Sequence, residues 1–105
     1  MVETANLALP LLAAGQAQKH ITLNEALLKL DHLLMLSIAS RSLATPPPTA
    51  DEGTRFAIPT GATGDWSGRA GHLAIYVNGG WDFIPPKTGW RAYVEDEGRE
   101  AIFAG

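Results

Sequence analysis

Glu95, Asp96, Glu97 and Glu100 form the densest group of chemically capable side chains in the sequence. Two carboxylates facing each other across a cleft can carry glycoside hydrolysis, and carboxylates gathered in a loop can hold calcium. Here they crowd into an expected hairpin tip, where charges are easily solvated, so loop solvation is the first reading and a weak calcium site the second. The histidines are His20, His32 and His72. None has a second histidine or a carboxylate at the spacing of a helix-borne metal site such as His-Glu-x-x-His, and Asp31 points to a different helix face from His32. They read as surface or interface histidines. The loop from Gly61 to Gly71 lacks Gly-x-Gly-x-x-Gly, Gly-Lys-Ser and Gly-Lys-Thr, the patterns that cradle phosphate. Ser37, Ser40, Ser42 and Ser67 lie in no nucleophile elbow. The expectation is a protein that is not an enzyme and needs no metal or cofactor.

The aromatic residues are more suggestive. Trp66, Tyr76, Trp81, Trp90 and Tyr93 crowd between residues 66 and 93. Exposed flat rings can hold sugars, and a carbohydrate-binding alternative would use Trp66, Tyr76, Trp81 and Trp90. Large rings also fill small β cores. Strand alternation puts Trp81 with Phe83 on one face and Trp90 with Val94 on one face, which favours the core reading.

At 105 residues with no cysteine, the chain is expected to form one structural domain without disulfides or a Cys-based zinc site. The net charge is -3 and the basic residues are scattered, so no footprint for nucleic acid exists. The apolar stretch Leu7 to Ala14 is short, interrupted by Pro10 and preceded by Glu3. It predicts neither a signal peptide nor a membrane span.

The elements that must position these residues divide in two. Residues 1–45 are rich in Leu and Ala and predict an N-terminal arm and helix. Residues 46–105 hold most of the glycines and all the aromatic residues, and predict a small antiparallel β part. Thr22-Leu23-Asn24-Glu25 reads as a capping box. Beyond it Leu23, Leu27, Leu30, Leu34 and Ile38 fall within a sector of roughly 80° at 3.6 residues per turn, which predicts one long helix over 22–39. That stripe can face the chain's own sheet. Leu28, Leu33, Met35 and Leu36 then need separate cover, and they are the expected oligomer interface. Pro46-Pro47-Pro48 reads as a stiff spacer. Arg55 to Ile58 is a short strand. Leu73–Val77, Asn78-Gly79 and Gly80–Ile84 make a hairpin with a type I′ turn. Trp90–Val94 and Glu100–Phe103 make a second. The fold class is α+β: an arm and one long helix, then a small antiparallel β-meander.

Several strings together resemble a known family. These are Leu9 to His20 with its Ala-Gln-Lys-His segment, Asn24 to Leu27, Leu30-Asp31, Ala62 to Gly68, Gly80 to Phe83, Pro86, Gly89-Trp90 and Val94 to Gly98. The sequence resembles the DUF2793 family, a domain of unknown function, over nearly its whole length. The resemblance implies a context: prophage and gene-transfer-agent regions of alphaproteobacteria, at the base of fibre- or spike-like proteins. On that basis the chain is expected to be made in the bacterial cytoplasm and to end on the surface of a phage-like particle. It would join a head spike or tail fibre to the particle as a homo-oligomer, a trimer or pentamer. Its partners would be other particle proteins, capsid or fibre. The alternative is a module recognising host capsule or surface polysaccharide. Family members often continue past the last strand, so a receptor-binding part is expected elsewhere.

Overall fold

The computed structural model describes residues 3–11 and 19–104. The chain divides into two compact units, Met1–Leu34 and Met35–Gly105.

The first unit holds one helix, α1 (Lys19–Leu33), and a folded arm. In the arm, Glu3 and Pro10 form an antiparallel bridge. The Thr4 amide donates to the Leu9 carbonyl (3.0 Å) and the Ala8 amide to the Thr4 carbonyl (3.1 Å). The Thr4 hydroxyl accepts from the Leu9 amide at 2.8 Å. Residues 12–18, which include part of the apolar stretch and the Ala-Gln of the Ala-Gln-Lys-His segment, lie outside the described residues.

The helix differs from the expected 22–39 at both ends. It starts at Lys19, so Thr22 lies inside it rather than at its cap, and it stops at Leu33. The Leu34 amide still donates to Leu30 (2.8 Å), but Met35 turns left-handed at φ 49° and ends the ladder. Two residues later Ser37 and Ile38 pair as a strand with Tyr93 and Val94. Leu34, Met35 and Leu36 all suit a helix by propensity. A β-branched Ile38 that is 3% exposed in a β core outweighs that preference.

Left-handed backbone costs a non-glycine residue roughly 1–2 kcal/mol, and helices commonly place glycine at this position. Met35 is 86% exposed and has little packing to lose. Met35→Gly is therefore expected to raise the thermal midpoint by a few degrees. The strain relieved exceeds the roughly 0.5–1 kcal/mol of added unfolded-chain entropy. Calorimetry on the two chains checks this, and an unchanged or lower midpoint counts against it.

The second unit holds two three-stranded sheets. One is an antiparallel meander of β2 (Arg55–Ala57), β3 (Leu73–Val77) and β4 (Gly80–Ile84). The other runs β1 (Ser37–Ile38), β5 (Arg91–Val94), β6 (Arg99–Ile102), with β1 parallel and β6 antiparallel to β5. Both expected hairpins form, but in different sheets. The single antiparallel meander is corrected to two sheets, one with a parallel pair.

The stretch 36–40 holds the sheets together. On one side the Tyr93 amide donates to the Leu36 carbonyl (3.0 Å) and the Glu95 amide to Ile38 (2.9 Å). On the other, the Ala39 amide donates to the Arg55 carbonyl (2.7 Å) and the Ala57 amide to Ser40 (3.1 Å). This is why residues expected at the end of a helix are extended. Their backbone groups complete two ladders at once.

The β3–β4 turn is as the sequence demands. Asn78 (φ 52°) and Gly79 (φ 76°) are both left-handed, as a type I′ turn requires. The Glu52 carboxylate accepts from the Asn78 amide at 2.7 Å and anchors the tip.

Candidate functional site

The acidic cluster proves to be paired rather than merely solvated. Glu97 accepts two hydrogen bonds from Arg41, at 2.7 and 2.8 Å, and one from Arg99 at 3.3 Å. The Arg41 hydrogen bond and charge hold the Glu97 carboxyl below its ordinary range, and the same pairing holds the Arg41 guanidinium above its own. Ser37 donates to Glu95 (2.6 Å), and Arg91 to Glu100 (3.1 Å). These contacts are exposed, so each adds little stability. They do pin the turn at 95–98 to the segment at 37–41. A carboxylate already engaged by arginine is poorly placed to act as a general acid.

Among the described residues, no three His, Asp or Glu side chains converge as a metal site. His32, expected at the surface or an interface, is 3% exposed. His72 is half-buried. No helix among the described residues is long and apolar enough to cross a membrane.

The aromatic residues separate into three environments. Trp66, at the end of a one-turn 3₁₀ helix (Gly64–Trp66), is fully buried with Phe56, Ile58 and Ala74. Its ring centroid lies 5.3 Å from that of Phe56 and 5.2 Å from that of Trp81, the latter in edge geometry. Trp66 has no surface to offer a sugar. Trp90 is half-buried and lines a different space, an apolar cavity of about 210 Å³ shared with Leu36, Ile38, Leu73, Ile102 and Phe103. Tyr93 is 49% exposed on β5.

Tyr76 and Trp81 do come together. They are cross-strand partners on β3 and β4, with centroids 5.0 Å apart and rings at 72°. With Phe83, next on the same face of β4, they form one wall of an open cleft of about 540 Å³. Pro46, Pro47 and Pro48 also line it, and Gly64 and Asp65 contribute as well. Pro46 and Pro47 are half-buried and Pro48 is exposed, so the triplet expected as a spacer also lines the cleft. Thr63 donates its amide to Ala44 at 2.9 Å, and the Thr45 and Thr63 hydroxyls share a hydrogen bond of 3.0 Å. Gly64 sits at φ 62°, a left-handed backbone that favours glycine, and Pro46 Cγ lies in ordinary contact, 3.4 Å from where a Cβ would sit. The sequence reading found two of the cleft's rings but missed its proline wall and Asp65.

A second candidate surface lies on α1. Leu23, Leu30 and Leu34 are 51%, 47% and 48% exposed, and Leu27 between them is half-buried. At 3.6 residues per turn these four lie within about 60° of one another. This is the stripe expected to be covered. Of the expected interface residues, Leu28 and Leu33 are half-buried and Met35 is exposed past the helix end. Leu36 lines the cavity of the second unit. The signal available was the heptad-like 4-3-4 spacing, which suits a helix partner as well as a sheet.

A family model described as "Protein of unknown function (DUF2793)" matches residues 23–105 of the chain. No curated protein and no solved structure gives a match.

Proposed function

The chain belongs to the DUF2793 family, and from that premise we propose that it is a structural module: the base that attaches a head spike or tail fibre to a phage-like particle. In this reading it does no catalysis, assembles with copies of itself as a trimer or pentamer, and docks on other particle proteins. The observation that carries it is the uncovered leucine row of α1. Leucine side chains half in water and aligned along one helix face are a ready seam for a second helix, and burying each further contributes on the order of 1 kcal/mol. Closed rotational symmetry lets every copy satisfy the same row.

Light scattering on the purified chain tests the assembly. The wild type is expected to run as one closed oligomer. Leu30→Glu is expected to be monomeric with unchanged helicity, because the carboxylate would have to enter the seam without a partner. Met35→Glu, beyond the helix end, is expected to assemble normally. A wild-type chain that stays monomeric at high micromolar concentration would sink the self-assembly part. Tagged chain that fails to co-purify with particles from a producing culture would sink the particle part.

A further inference from the structure

The geometry points to a binding site for an uncharged sugar ring in the cleft between the proline triplet and the β3–β4 face. This site is separate from the leucine row and does not depend on it. Three features select the ligand. The walls are apolar: Tyr76, Trp81 and Phe83 on one, with the Tyr76 and Trp81 rings at 72° to each other, and Pro46 and Pro47 on another. A pyranose presents two C–H faces that pack on such walls, aromatic rings being large apolar surfaces with a negative face. Asp65, an exposed residue, is the one charged side chain among the described lining residues, and a carboxylate only accepts hydrogen bonds. The ligand must therefore donate, as sugar hydroxyls do. No basic side chain lines the cleft among the described residues, so the charge an acidic sugar would meet in the lining is that of Asp65.

The aromatic wall belongs to a cluster of contacting rings, and packing of this kind favours binding by reducing the ordering cost. Trp81 touches Phe56 at 5.8 Å, Trp66 at 5.2 Å and Tyr76 at 5.0 Å, all in edge or T-shaped geometry. Arg69 holds its guanidinium 4.6 Å from the Phe83 ring centroid. The aromatic wall is thus backed by packed neighbours. A quaternary ammonium is the main rival, since rings and a carboxylate also suit a cation.

The full chain, titrated with maltohexaose, mannohexaose and N-acetylchitohexaose, tests the site by amide and indole NMR shifts. At least one of these neutral oligosaccharides is expected to shift the Trp81 indole and the Gly79 and Gly80 amides saturably, with a dissociation constant in the millimolar range or tighter. Asp65→Ala, at an exposed position, is expected to weaken binding about tenfold or more with the thermal midpoint unchanged. Polygalacturonate is expected to bind at least about tenfold more weakly than the best neutral probe. Absence of any shift at the Trp81 indole with all three neutral probes at ~10 mM would overturn the proposal. So would tighter binding of choline or polygalacturonate, or wild-type affinity in the Asp65 variant.

Discussion

Trp66→Ala is expected to cost the second unit roughly 3–5 kcal/mol, the usual loss when a buried tryptophan is truncated. The side chain is fully buried, and the rings of Phe56 and Trp81 both rest on it. Removing it leaves a void bounded by two other large rings that the short 3₁₀ turn cannot close by moving inward. Stabilities of about 0.05–0.15 kcal/mol per residue give a unit of this size roughly 4–11 kcal/mol, so such a loss takes a large share of it. The variant is expected to be largely unfolded or molten at 37 °C. Trp90→Ala should cost clearly less, because Trp90 is half-buried beside an existing cavity. Among the described residues, no acceptor lies within hydrogen-bond distance of the Trp66 indole nitrogen. Trp66→Phe therefore gives up volume but no hydrogen bond, and should fall between the wild type and the alanine variant. Urea midpoints followed by far-ultraviolet circular dichroism order the three variants. A Trp66→Ala midpoint within about 1 kcal/mol of wild type would show that the aromatic cluster is not the core of this unit.

The two hairpins were legible because their information is local. Asn78-Gly79 admits the left-handed turn and the flanking alternation sets the register, so β3 and β4 fall where the residue types place them. The burial of Trp66 was not legible, since alternation says nothing about a residue in a glycine-rich loop. The end of the helix was missed for the opposite reason. Local periodicity runs unbroken from Leu23 to Ile38, and only a partner more than fifty residues away, Val94, draws Ile38 into a sheet. The prolines read as a spacer because composition cannot show that Pro46 comes to lie against Gly64. Part of the cleft was in view, in Tyr76 and Trp81. Its opposite wall and its carboxylate come from segments far from those rings in sequence, which no single-window pattern joins.

Asp31→Asn is expected to release the N-terminal arm from α1 at neutral pH and to remove the acid sensitivity of that contact. Asp31 is 1% exposed. Its carboxylate accepts from the Asn6 amide at 2.8 Å, from the Leu7 amide, and from the Asn6 side-chain amide at 3.2 Å. Burial by itself would raise the Asp31 pKa. The hydrogen bonds from the Thr4 hydroxyl, the Asn6 and Leu7 amides and the Asn6 side chain outweigh that and hold it below the ordinary carboxylate value. A folded-state pKa below the unfolded one means that the contribution to stability is complete above the unfolded value. It is lost as pH falls through the folded value, so below about pH 4. Asparagine keeps the volume but turns one acceptor into a donor that faces another donor. The resulting loss is about 1–2 kcal/mol, from part-buried amide hydrogen bonds to a charged acceptor that are no longer made. Hydrogen exchange at the Asn6 and Leu7 amides reads the contact directly. Protection at pH 7 should drop roughly 10-fold in the variant. In the wild type the arm contact, followed by the chemical shifts of the same two amides, should be lost on acidification from pH 5 to pH 2. The variant should show no such step. A wild-type Asp31 that titrates at or above its ordinary pKa, or a variant with the wild type's protection, would mean that the carboxylate does not hold the arm.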